Sequence, residues 1–167
     1  MKPLTRPDID LANTPVNWRW PASALAGFLA GFVSVVVFHQ IAIASIGELF
    51  GLPVKPWSLA PVAPFGVPQV VSLAFWGGLW GIPLALAVRR LPPTVAAVLL
   101  FGLVFGALLP SLAGWFVIAP LKGLPMAAGA DPTRIAFGLV VNGAWGLGTA
   151  VLLWLAFQLR RAPLVSR

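Results

Sequence analysis

This chain has no cysteine and little charge: four acidic residues, one histidine and 9% charged residues overall. Without thiols there is no disulfide, no thiol redox chemistry, no Fe–S cluster, no thiolate zinc site and no lipoprotein anchor. The four-helix quinone-linked disulfide oxidoreductases, which need paired thiols, are excluded as well. One histidine rules out haem ligation by a histidine pair. With only two methionines and no second imidazole, a metal path has too few ligands. No carboxylate falls inside an apolar run, so a proton-coupled exporter of the small multidrug type would lack its coupling residue. There is no glycine-rich phosphate loop, no carboxylate-rich magnesium site and no Ser–His pair with a third orienting acid. The chain is therefore expected not to be an enzyme and to carry no cofactor.

Apolar sequence is abundant. The chain is 59% hydrophobic with a mean hydropathy of +0.94, whereas a soluble domain carries about a quarter charged residues. Four runs, 22–47, 69–88, 94–118 and 135–159, each exceed or match the roughly 20 helical residues that cross a bilayer core. An all-α polytopic membrane protein is expected, its four transmembrane helices forming a compact bundle over 22–159. Outside it lie a mostly disordered cytoplasmic tail, 1–21, and a basic cytoplasmic tail, 160–167. Ala42-Ile43-Ala44 has the small residues of a leader cleavage site. The long preceding tail with Asp8 and Asp10, and the length of the apolar run, argue against a cleaved leader.

The net charge is +7, but the basic residues are spread over tails and a short turn rather than gathered on one face, so no nucleic acid partner is expected. Their distribution follows the positive-inside rule. Lys2, Arg6 and Arg19, then Arg89 and Arg90, then Arg160, Arg161 and Arg167 fall on one side. Only Lys55, Lys122 and Arg134 fall on the other. That places both termini in the cytoplasm of a bacterial inner membrane, with the lipid bilayer as the first partner.

Small residues recur at helical spacing in every run: Ala24, Gly27, Gly31 and Ser34; Ala74, Gly77, Gly81 and Ala85; Gly102, Gly106 and Ala113; Gly138, Asn142, Gly146 and Thr149. Such stripes let helix backbones approach closely where lipid removes the usual hydrophobic drive. The two halves also echo one another. Gly27-x-x-x-Gly31 is answered by Gly102-x-x-x-Gly106, Gly51-Leu52-Pro53 by Gly123-Leu124-Pro125, and Gly78-x-Trp80-Gly81 by Gly143-x-Trp145-Gly146. A tandem hairpin repeat is expected, its halves related by an axis along the membrane normal. Residues 48–68, with five prolines and several large apolar side chains, form an outer strap of extended backbone. It is expected to cover the helix ends or to offer a docking surface.

His39-Gln40 is the strongly polar pair within a span, and polar groups at membrane depth point to function or to packing across helices. Gln40 lies about 100° around the helix from His39, nearly opposite the glycine stripe. Either the first helix sits centrally or a second chain covers it, which argues for a homo-oligomer or a larger membrane complex. By counting depth along the helices, His39, Gln40, Ser111 and Asn142 make a candidate polar intramembrane cluster, with His39 expected to approach Asn142 or Ser111 closely enough for a direct or single-water hydrogen bond. Asp131-Pro132-Thr133-Arg134 reads as a helix start.

Phe38-His39-Gln40, Pro64-Phe65-Gly66-Val67-Pro68, Leu121-Lys122-Gly123 and the run Asn142-Gly143-Ala144-Trp145-Gly146-Leu147-Gly148 resemble a group of small four-helix inner-membrane proteins of proteobacteria. The resemblance runs from the first helix to the fourth and implies membrane residence, without an activity or ligand. The expected role is that of a structural or accessory membrane component. The alternatives are a small oligomeric carrier or channel, and a protein that binds a quinone-like lipid near His39.

Overall fold

The computed structural model describes residues 20–161; most of the two expected tails, 1–21 and 160–167, lies outside them. Four helices dominate. Helix α1 comprises Trp20–Ser34, a π-helical turn Val35–His39, and Gln40–Ile46. Helix α2 is Gln69–Val88. Helix α3 comprises Val95–Ala113, a second π-helical turn Gly114–Ile118, and Ala119–Leu121. Helix α4 is Pro132–Arg161. Each contains a stretch long and apolar enough to cross a membrane, and the chain is a multi-pass membrane protein.

The helix ends have local causes. Thr94 caps α3, its hydroxyl accepting from the Ala97 N–H at 3.3 Å. Asp131 caps α4, its carboxylate accepting from the N–H groups of Thr133 at 2.8 Å and Arg134 at 3.4 Å. Pro132 fits the first helical position because its missing N–H would be unpaired there anyway. Helix α4 therefore begins three residues ahead of the apolar run that marks it in the sequence. Helix α3 runs past residue 118 because the π-helical turn precedes a restart in which Pro120 sits in the first turn.

The repeated Gly-Leu-Pro motif is a helix stop. Leu52 N–H reaches Gly47 O, and Leu124 N–H reaches Ala119 O, at 3.2 and 2.9 Å. Gly51 and Gly123 hold φ of +63° and +68°, as the left-handed residue of a Schellman-type ending requires.

Helices α1 and α2 form one antiparallel hairpin and α3 and α4 the other, while α1 also packs along α4. The contacts inside the two hairpins match position by position. A Cβ at Gly27 would meet the Gly81 carbonyl and Ala85, and a Cβ at Gly102 would meet the Gly146 carbonyl and Ala150. At Gly31 it would meet the Gly77 carbonyl and Gly81 Cα; at Gly106, the Asn142 carbonyl and Gly146 Cα. The backbones touch, so dispersion between main chains replaces side-chain interdigitation. Gly138 lies apart from this crossing and faces the Trp115 ring, with a Cβ 3.2 Å from it.

Large apolar residues line the outside, as at Leu25, Leu29, Val33, Val37 and Ile41, which repeat every fourth residue down α1. The strap is not one extended run. It contains a small antiparallel hairpin, β1 (Pro61–Val62) with β2 (Val67–Pro68), register Pro61↔Pro68 and Val62↔Val67, around a cis Ala63–Pro64 bond.

Candidate functional site

The π-helical turn in α1 is where the strap returns. Gln40 N–H would ordinarily bond Val36 O, four residues back; here it reaches Val35 O and Val37 O instead. Val36 O accepts the indole N–H of Trp57 at 2.9 Å. The side chain of Gln40, which is buried, then accepts the main-chain N–H of Trp57 on Oε1 at 2.7 Å. Trp57 itself has φ +48°, a left-handed conformation that disfavours a bulky residue by about 1–2 kcal/mol. Two hydrogen bonds from the same residue hold it there.

The amide orientation of Gln40 fixes the neighbouring imidazole. A main-chain N–H can only donate, so Oε1 faces Trp57 and the Nε2 amide faces His39 Nδ1 at 3.3 Å. Nδ1 must therefore accept, and the ring proton sits on Nε2. Nε2 has no hydrogen-bond partner among the described residues, and His39 is half-buried. The polar face of α1 is thus covered by the chain's own strap. Gln40 is satisfied within the chain and by itself calls for no second one.

Ser111 and Asn142 meet one another: Asn142 Nδ2 donates to Ser111 Oγ at 2.9 Å, tying α3 to α4. The direct hydrogen bonds among the four residues are His39 with Gln40 and Asn142 with Ser111; none joins His39 to Ser111 or Asn142 directly. The turn that frees Val36 O for Trp57 also leaves Gln40 Oε1 facing the same residue, and His39 meets the strap only through Gln40.

A third polar set joins the two hairpins. Trp145 is buried and donates its indole N–H to Gly31 O at 2.9 Å, while Ser34 Oγ donates to Trp145 O at 2.6 Å. Thr149 Oγ1 adds a bond to the same carbonyl at 2.9 Å. Ser34 and Trp145 stood in the sequence patterns, one as a small residue and the other as part of a repeated motif, but nothing in either pattern marked them as partners. Trp57 was one of the large apolar side chains that marked the strap, with nothing to name Gln40 and Val36 as its partners.

Among the described residues no three His, Cys, Asp or Glu side chains gather to hold a metal. Comparison with protein-family models, with curated proteins and with solved structures finds no match.

Proposed function

We propose that this chain is a structural or accessory component of a bacterial inner membrane, present as a homo-oligomer or beside a larger complex, with no enzymatic activity of its own. One observation carries the reading: the interior is closed by backbone against backbone at Gly27, Gly31, Gly77 and Gly81, and again at Gly102, Gly106 and Gly146. A path for a solute through one copy needs room that a single methyl group does not find there. Trp145 fills the seam between the hairpins, and Trp80 meets Phe105 edge-on at 6.3 Å between α2 and α3. Interior space is spent on packing.

The orientation belongs to the same proposal. Arg89 and Arg90 end the α1–α2 hairpin, whereas Lys55, Lys122 and Arg134 lie at the opposite end of the helices, so the charge bias supports both termini in the cytoplasm. The matched contacts of the two hairpins support a duplicated unit.

Reconstitution tests the reading against a carrier or channel. Liposomes containing the purified chain are expected to retain protons, potassium and small solutes as well as empty liposomes do. Saturable or voltage-driven flux would overturn the structural or accessory role in favour of a path between subunits. A second reading rests on His39: its Nε2–H is a donor without a hydrogen-bond partner among the described residues, at membrane depth and suited to the carbonyl of a quinone-like lipid. A His39→Phe variant that loses co-purifying quinone would support that alternative.

A further inference from the structure

The membrane-spanning stretch of helix α1 runs for 26 residues from Pro21 to Ile46, about 39 Å at 1.5 Å per residue, against a hydrocarbon core of about 30 Å. Centred on the bilayer, it overshoots the core by roughly 4–5 Å at each end. Gln40 lies six residues before the end of α1 at Ile46 and Val36 lies ten before it, or about 9 and 15 Å back along the axis. Both are therefore inside the hydrocarbon, and both hold Trp57.

The start of α2 agrees. Gly31 meets Gly77 and Gly27 meets Gly81, and continuing that antiparallel register brings Gln69, the first residue of α2, to the level of His39. Helix α2 has only 20 residues and ends below the surface that α1 reaches. Its first free N–H groups find partners in the strap: Gln69 N–H bonds Ala60 O at 2.9 Å and Val70 N–H bonds Ser58 O at 3.0 Å. Leu59, between these two acceptors, is fixed at the same level and is 73% exposed.

We infer that the strap is a re-entrant segment whose outer side meets lipid acyl chains, with Leu59 and the open face of Trp57 in contact with them and the Phe65 tip, 86% exposed, nearer the headgroups. Irregular backbone at membrane depth must have its polar groups satisfied within the protein. The prolines serve that need. Pro56, Pro61, Pro64 and Pro68 have no N–H to satisfy, while Trp57 N–H, Ala60 N–H and Gly66 N–H find Gln40 Oε1, Ser58 Oγ and Val62 O. Lys55, the nearest charge, is exposed two residues before Trp57, and its stem can lift the ammonium to the headgroups.

The absence of cysteine makes the test direct. Single variants Leu59→Cys, Leu29→Cys and Lys122→Cys, spin-labelled in phospholipid vesicles, are read for collision with oxygen, which concentrates in acyl chains, and with a water-soluble nickel chelate. The Leu59 label is expected to show an oxygen-to-nickel ratio several-fold above that of Lys122 and close to that of Leu29, a lipid-facing position of α1. In the Gln40→Ala background the Leu59 ratio should fall toward the Lys122 value while Leu29 stays unchanged. A Leu59 ratio equal to that of Lys122 would put the strap in water and overturn the inference. Shielding of Leu59 from both reagents would do the same, since protein rather than lipid would then cover it. An unchanged ratio in Gln40→Ala would overturn the role of Gln40 as the anchor.

Discussion

Gly106→Ala and Gly114→Ala make the same chemical change eight residues apart on α3, and they should move stability in opposite directions. A Cβ at Gly106 would sit 2.5 Å from the Asn142 carbonyl, 2.6 Å from Gly146 Cα and 2.8 Å from Gly146 N, all main-chain atoms of α4. Reaching ordinary contact at 3.4 Å requires the helices to part by about 0.9 Å, and close-packed interiors transmit such a shift to their neighbours. Overpacking of this kind costs about 1–3 kcal/mol, offset by up to about 1 kcal/mol of helix propensity. Gly106→Ala is expected to destabilise by about 1–2 kcal/mol. At Gly114 a Cβ meets nothing within 4 Å, so only the propensity gain remains, between zero and about 1 kcal/mol. Unfolding by SDS titration in mixed micelles, followed by circular dichroism and tryptophan fluorescence, measures both. Equal stability of the two variants would refute the backbone-contact account of the α3–α4 crossing.

Other changes have equally local causes. Trp145→Phe removes the indole N–H bond to Gly31 O and leaves space at a buried position, and should lower stability in the same titration by about 2–3 kcal/mol. Ala128 holds φ +56° within a left-handed turn formed by Ala127, Ala128, Gly129 and Ala130, so Ala128→Gly should stabilise by about 1 kcal/mol, read as a rise in midpoint. Reporter fusions after Arg90 should be active in the cytoplasm and fusions at Lys55 on the far side; a cytoplasmic signal at Lys55 would refute the orientation.

The sequence carried the helices and their stops because those depend on local rules. Apolar runs marked the spans and Asp131-Pro132 marked the α4 start, while Gly51-Leu52-Pro53 and Gly123-Leu124-Pro125 stood out as a repeat before their role as helix stops was visible. The small residues at Gly27, Gly31, Gly102 and Gly106 announced close approach, although spacing alone did not say which helix each would meet. The π-helical turns had no signature: Val35-Val36-Val37-Phe38-His39 reads as plain apolar helix. Without that turn Val36 O has no reason to be free, so the bond to Trp57, 21 residues away, was out of reach. Depth along the helices brought Ser111 and Asn142 to one level, where they bond, but depth does not fix the direction in which a side chain leaves its helix, and the bond of His39 to Gln40 had no signal in the sequence. The partnership of Ser34 and Trp145, separated by 111 residues, depends on how the hairpins pack and belongs to tertiary structure.

The accessory role is tested most directly by the mass of the particle that carries the chain out of its own membrane. Extracted in mild detergent from cells producing it at native level, and weighed by native mass spectrometry, the 17.6 kDa chain is expected in a discrete assembly of fixed stoichiometry, with further copies or with other membrane subunits. A single copy with bound lipid alone, recovered unchanged across mild detergents and after crosslinking in the intact membrane, would contradict it.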